Sequence, residues 1–491
     1  MSHEIKKLEP KSLWKHFYSL TQIPRVSKKE ARVREFVKNF AEDLGLKTIV
    51  DEVGNLVVRK PAAPGMENRK IVCLQSHLDM VGQKNKDVFH DFEKDPIDAY
   101  IDDDWVTARG TTLGADNGIG AAAAMAVLES KDISHGPLEA LFTIDEETGF
   151  TGAFGLKPDL LKADILINTD SEQEGWLHIG SAGGRSTIVT LRYTEEEIPS
   201  NHKAYEIRLT GLRGGHSGVD IHMGWGNAIK ILNRFFCLAS RRWDFYLASI
   251  DAGNLISAIP HEAFAVVTIS AAETSDFARG VKQFDQTVKN EFSATEPDVK
   301  FEAVPTDMPD RAMDKEILGN LIKGICDCPN GVIRMSDSIE GLVDTSTNLG
   351  ILKSEKGEIN ITTFQRSFDK FSMHDLGARI GLIFEWVGAE EVKHHFLFPA
   401  WVSETNSPIL EKMQTVYTGL FGREPKIKMV HAGLECGAFK ASHPHLDIIS
   451  IGPSIFFSHT PDERVNIATV KEFWDFLTEV LKTIGEKKKK K

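Results

Sequence analysis

KIVCLQSH, residues 70–77, is the stretch on which the reading of this chain turns. It is a short, largely apolar run ended by polar residues, which is how a buried strand reads. LEALFTID (138–145), ADILINTD (163–170) and DIISIGPS (447–454) repeat the pattern. Between the first two lies GIGAAAAMAVLES (118–130), an Ala-rich helix whose small side chains suit close packing on a sheet. After the last comes a helix with Val470, Phe473, Leu477, Val480, Leu481 and Ile484 on one face. Strands alternating with helices predict an α/β domain with a central, mainly parallel sheet.

The middle of the chain has a different texture. AYEIRLTG (204–211) and AFAVVTIS (263–270) alternate in polarity, and NAIKILNRFF (227–236) has helical spacing. GEINITTFQRSF (357–368) reads as a strand and DLGARIGLIFEWV (375–387) as a helix. This predicts an α+β domain, in two similar strand-and-helix groups, inserted at 186–399 into a discontinuous domain formed by 1–185 and 400–491.

Bulk properties bound the function. At roughly 100–200 residues per domain, 491 residues imply two or three domains. A net charge of −13 argues against nucleic acid or an anionic membrane as partner. No stretch approaches the roughly 18 uncharged apolar residues of a membrane span. The N-terminus is charged and shows no apolar signal core. The five cysteines are scattered, and Cys326 and Cys328 lack the partners of a zinc knuckle, which implies a reducing compartment. The expectation is a soluble, cytoplasmic protein with a solvated KKKKK tail at 487–491.

Metal-ligand residue types concentrate in SHLDM (76–80), GADNGIG (114–120), TIDEETG (143–149), INTDSE (167–172) and SHTPDE (458–463). Four of the five follow predicted strands, and GADNGIG opens the helix. Open α/β sheets bind ligands at the carboxyl ends of their strands. One carboxylate or His there is ordinarily a cap or turn residue; several on one sheet edge are not so easily explained. His and carboxylate without Cys suit zinc, manganese or cobalt. The excess of carboxylate suits two metals sharing a bridging group.

These segments resemble those of the di-zinc peptidase superfamily that includes carboxypeptidase G, aminoacylase and succinyl-diaminopimelate desuccinylase. SHLDMVGQ, GTTLGADNGIG, FTIDEETG, GGHSGVDIH and HAGLECG look most like the Xaa-His (aminoacyl-histidine) dipeptidases, in the same order along the chain. The resemblance implies that His77 and Asp170 bind one metal and Glu147 and His459 the other, with Asp116 bridging both. It implies a cis peptide after Asp116, Asp79 as the partner of the His77 imidazole, and Glu146 as general base for a water whose pKa zinc lowers to about 7. It also implies His216 as the oxyanion donor with Asn254 in support, Arg366 as binder of the substrate carboxylate, and Gly433 as a backbone contact. Asp145 reads as structural. Met223 and Trp225 depart from the small or basic residues expected there, which bears on substrate preference.

The implied reaction is hydrolysis of small Xaa-His dipeptides, β-alanyl-histidine included, by an enzyme with two divalent ions, zinc or else cobalt or manganese. The inserted domain would be a lid, large enough for one chain to supply a whole site, although a homodimer stays open. The rival readings are a broad dipeptidase or N-acyl-amino-acid amidohydrolase, a non-catalytic metal or peptide binder, and a glycosidase using Asp145 and Glu146.

Overall fold

The computed structural model describes residues 2–403 and 407–485; the lysine tail at 487–491 lies outside them. The chain divides into two compact units. The first comprises Met1–Ser181, Trp401–Met429 and Leu434–Lys491, and the second Ala182–Ala400 and Val430–Gly433.

The first unit is built on a nine-stranded sheet. Its four central strands are Leu138–Thr143, Val72–His77, Ile165–Asn168 and Asp447–Ser450, in that order, and they run parallel. The flanking pairings are antiparallel, so the sheet is mixed with a parallel heart. The central strands are buried almost residue for residue, as expected of parallel strands covered on both faces. The Ala-rich helix spans Ala115–Glu129 and packs on the strand Val72–His77 and on the helix Lys11–Thr21. In the helix Ile467–Thr483, Val470, Phe473, Phe476, Leu477, Val480 and Leu481 are buried. Each such side chain contributes about 1.5–3 kcal/mol of transfer free energy, before chain entropy is subtracted.

The strand expected at 138–145 stops at Thr143. Asp145 adopts a left-handed φ of +52°, and a single helical turn runs Glu146–Gly149. The Asp145 carboxylate accepts bonds from the Thr148 and Thr151 hydroxyls, which hold the turn closed. Asp145 and Glu146 therefore lie in a turn, and the Asp145 carboxylate that a glycosidase would need is occupied by the two threonine hydroxyls.

The second unit holds one antiparallel nine-stranded sheet. Both strand-and-helix groups of the middle region contribute to it: His202–Thr210 and Ala263–Ser270 to one side, Glu358–Ser367 and Gly183–Arg192 to the other. Helices Ala228–Arg242, Thr274–Glu291, Lys315–Asp327 and Lys370–Trp386 contribute residues to its buried core, where Phe235 sits among Trp243, Phe277, Phe284 and Phe301.

Candidate metal centre

The carboxyl ends of the central strands in the first unit bring the five anticipated ligands together. His77, Asp116 and Asp170 form one group and Asp116, Glu147 and His459 another, with ligand atoms within 4.8 Å of one another in each. Asp116 belongs to both. Its Oδ1 lies 3.1 Å from His77 Nε2 and its Oδ2 3.1 Å from His459 Nε2. Asp170 Oδ1 is 3.2 Å from His77 Nε2, and Glu147 Oε2 is 3.0 Å from His459 Nε2. The Asp116–Asn117 peptide is cis. Asn117 donates its side-chain amide to Asp170, which ties the two carboxylates of the His77 group to one segment. His459 takes a φ of +63°, a region that residues with a β-carbon seldom occupy outside special sites.

Glu146 joins a third group with His77 and Glu147. Its carboxylate is thus beside both proposed ligand sets without belonging to either bridged pair.

Asp79 is fully buried and does more than was expected of it. Its Oδ1 accepts the Glu146 N–H at 3.1 Å, and its Oδ2 accepts the Glu147 N–H at 3.2 Å and the Ser27 hydroxyl at 2.8 Å. The His77 Nδ1 is 3.1 Å from the Asp79 carbonyl and 3.5 Å from its carboxylate. The carbonyl is the nearer partner, and the carboxylate is engaged by three other donors. Burial raises the Asp79 carboxyl, but His77 and those donors outweigh it and hold it below its usual range.

The charge balance argues for bound cations. Asp79, Asp116, Glu146, Glu147, Asp170, Glu172, Glu435 and Glu463 cluster here against His77, His459 and Arg25. Burial, reinforced by Asp116, lifts Glu147 to about 7 and Glu172 to about 8. Burial, with Asp170 and Asp79 adding to it, lifts Glu435 to about 8. Glu146 and Asp170 are raised for the same reasons. The buried Glu147 Oε1 and Glu435 Oε1 have no hydrogen-bond partner among the described residues. Buried carboxylates at this density call for neutralising charge. The donors are oxygen and imidazole nitrogen, a set that fits zinc, manganese or cobalt.

Sequence reasoning missed a supporting layer. Glu435 accepts from Gln75 at 2.6 Å and from Thr143 at 2.8 Å, beneath the ends of two central strands. Glu30 accepts the Asp145 N–H at 3.0 Å. Arg25 and Glu463 bond to backbone groups at the loops that carry the ligands. Glu463 lies four residues after His459 in the same motif, a signal that was available. Arg25, Ser27 and Glu30 sit in IPRVSKKE (23–30), far from any ligand in sequence.

The second unit carries its own polar cluster. The His216 Nδ1 accepts the N–H groups of Gly218 at 3.2 Å and Val219 at 2.9 Å. Its Nε2 is 3.3 Å from Arg366 Nη2, with the donor and acceptor roles set by the tautomer. Arg366 is 3% exposed, lies over the Phe364 ring at 4.2 Å, and is lowered to about 9 by burial alone. Its Nε is buried without a hydrogen-bond partner among the described residues. A buried guanidinium with no carboxylate partner among the described residues is suited to receive an anion. His431 is close by, bonded to the Ser346 hydroxyl at 2.7 Å and lowered to about 3 by burial and by Arg366. Gly433 is held to glycine by the Phe398 ring, 2.7 Å from where its Cβ would stand. Asn254 is exposed; the segment reaching the His216 loop is Ser257–Ala258, where the Ser257 carbonyl accepts the Ser217 N–H at 2.7 Å. The Trp225 ring occupies the space a Cβ on Gly215 would need.

Comparison with known proteins agrees with this geometry. Residues 73–483 match the model of peptidase family M20/M25/M40. The chain is 42% identical over 487 residues, 99% of its length and all of the relative's, to the cytosol non-specific dipeptidase of Escherichia coli K12. It is similar to the crystal structure of the aminoacylhistidine dipeptidase of Vibrio alginolyticus, with a TM-score of 0.82 and 42% identity, covering 99% of this chain and 100% of that one. A tripeptidase of Staphylococcus aureus, at 16% identity and a TM-score of 0.62 over 97% of this chain and 99% of that one, shares the fold.

Proposed function

The chain belongs to peptidase family M20/M25/M40 and is a peptide-bond hydrolase, and from that premise we propose that it is a cytoplasmic, dinuclear metal-dependent dipeptidase that cleaves Xaa-His dipeptides, β-alanyl-histidine among them. The observation that carries the reading is Asp116, whose two oxygens each face a different imidazole in two ligand groups. His77, Asp116 and Asp170 would hold one ion and Asp116, Glu147 and His459 the other. When bound, a pair of zinc ions supplies Lewis acidity that lowers the pKa of water to about 7 and polarises the scissile carbonyl.

The remaining roles fall to side chains. Glu146 takes the proton of the attacking water on its carboxylate and delivers it to the leaving nitrogen. Asp79 fixes both the ring of His77 and the turn that carries Glu146. His216 donates from Nε2 to the oxygen that gains charge during attack, because its Nδ1 is committed to backbone N–H groups. Arg366 pairs with the substrate's C-terminal carboxylate, whose planar, bidentate form its fork matches.

A second reading is a dipeptidase of broad specificity, favoured by the name of the Escherichia coli relative. A hydrolysis screen of dipeptides with varied second residues, each with a free and an acetylated amine, separates the readings. Rates concentrated on Xaa-His support the first. Even rates over many second residues support the other, and cleavage of the acetylated series alone would point to an N-acyl-amino-acid amidohydrolase.

A further inference from the structure

Two buried side chains of opposite charge reach the metal-ligand loops of the first unit through hydrogen bonds to backbone. Arg25, 2% exposed, donates from Nη1 to the carbonyls of Leu78 at 2.9 Å and Asp79 at 3.0 Å, and from Nη2 to the carbonyl of Gly114. Glu463, also 2% exposed, accepts four successive backbone N–H groups. Its Oε2 takes those of Leu113 at 2.8 Å and Gly114 at 2.9 Å, and its Oε1 those of Ala115 at 2.7 Å and Asp116 at 3.3 Å.

The chain has made room for this arrangement. Gly114 has a φ of +72°, and a Cβ there would meet Arg25 Nη2 at 2.6 Å. A Cβ on Gly118 would meet the same atom at 2.7 Å. Two glycines of the GADNGIG motif are thus accounted for by the guanidinium lying between them. The Leu78–Asp79 segment directly follows His77, the Leu113–Asp116 segment ends on the bridging residue, and Glu463 is four residues from His459.

We infer that Arg25 and Glu463 are positioning residues, a buried clamp that holds His77, Asp116 and His459 at the mutual spacing two bound cations require. The inference rests on the dinuclear reading above. The fork of Arg25 spans two loops through three carbonyls, which the point charge of Lys cannot reproduce. The carboxylate of Glu463 takes four N–H groups on two oxygens, and an amide retains only one of those acceptors. Groups that orient ligands in this way typically set metal affinity within a factor of about 10–100.

The test is zinc competition against a chromophoric chelator in the apoproteins of the wild type, Arg25→Lys and Glu463→Gln, together with the ligand-field spectrum after loading with cobalt. Far-UV circular dichroism of each apoprotein reports the fold. Zinc affinity about 10–100-fold weaker than wild type, with an altered cobalt spectrum on an unchanged fold, supports the clamp. Wild-type affinity and spectrum in both variants overturn it. Loss of the fold in both assigns the pair to folding and also overturns it. A wild-type protein that takes up no second ion contradicts the dinuclear reading itself, which is a separate failure.

Discussion

The backbone N–H of Glu146 donates to Oδ1 of Asp79 at 3.1 Å. The residue two positions past one metal-site histidine therefore fixes the first turn of the segment carrying the proposed base. Replacing Asp79 by Asn removes one of its two acceptor oxygens while three donors still point at it. We expect Asp79→Asn to lower kcat by about 10–100-fold with the fold intact. A kcat within twofold of wild type would show that this carboxylate does not position the site.

Glu146→Gln should abolish turnover while leaving metal content unchanged, because an amide cannot accept a proton from water. General-base contributions run to about 10²–10⁴-fold, and a residue that also serves the leaving nitrogen belongs at the upper end. Steady-state kinetics beside metal analysis of the same preparation checks this. A variant that keeps a third of the wild-type rate would make Glu146 a spectator.

In the proposed reading, Arg366 of the second unit pairs with a charge present in both the ground and transition states. Arg366→Ala should chiefly raise KM. The role proposed for His216 is on charge that develops during attack, so His216→Ala should chiefly lower kcat, by about 10²–10³. The opposite partition, measured with one dipeptide, would exchange or remove the two roles.

His178 makes acidification destabilising. It is buried on the strand Trp176–Ser181, its Nδ1 is 2.9 Å from the Ser171 hydroxyl, and burial, with Lys428 adding to it, lowers it to about 4. An unfolded His titrates near 6.5, so between those values the unfolded chain binds the extra proton. The contribution is intact above about pH 6.5 and is lost as pH falls, and the loss reaches on the order of 3 kcal/mol below about pH 4. The melting temperature of the apoprotein should fall between pH 7 and pH 4.5 more steeply in wild type than in His178→Gln. Parallel curves would show that His178 is not the titrating group.

What the sequence disclosed and what it withheld follow from how each feature is encoded. Buried strands leave apolar runs, so those ending at His77, Thr143 and Asn168 were legible, and so were the helix Ala115–Glu129 and the alternation at Ala263–Ser270. The anticipated ligands lie next to those strand ends, within motifs, and they come together in two groups. The turn at Asp145 was misread as strand because a left-handed φ leaves no periodic trace. Arg25, Glu30 and Glu463 were missed because they bond to backbone, and a peptide group has no sequence identity to betray its partner. Glu435 was overlooked for another reason: its partners Gln75 and Thr143 lie on strands some three hundred residues away in the chain. Asn254 was named by register with a motif, and the structure brings its neighbours Ser257 and Ala258 to the His216 loop instead.

The measurement that bears most directly on the central claim is the initial rate of dipeptide hydrolysis as zinc is titrated into the apoprotein. The account predicts no hydrolysis without metal and a rate that reaches its plateau at two equivalents per chain. A plateau at one equivalent, or a metal-free protein that is fully active, would contradict it.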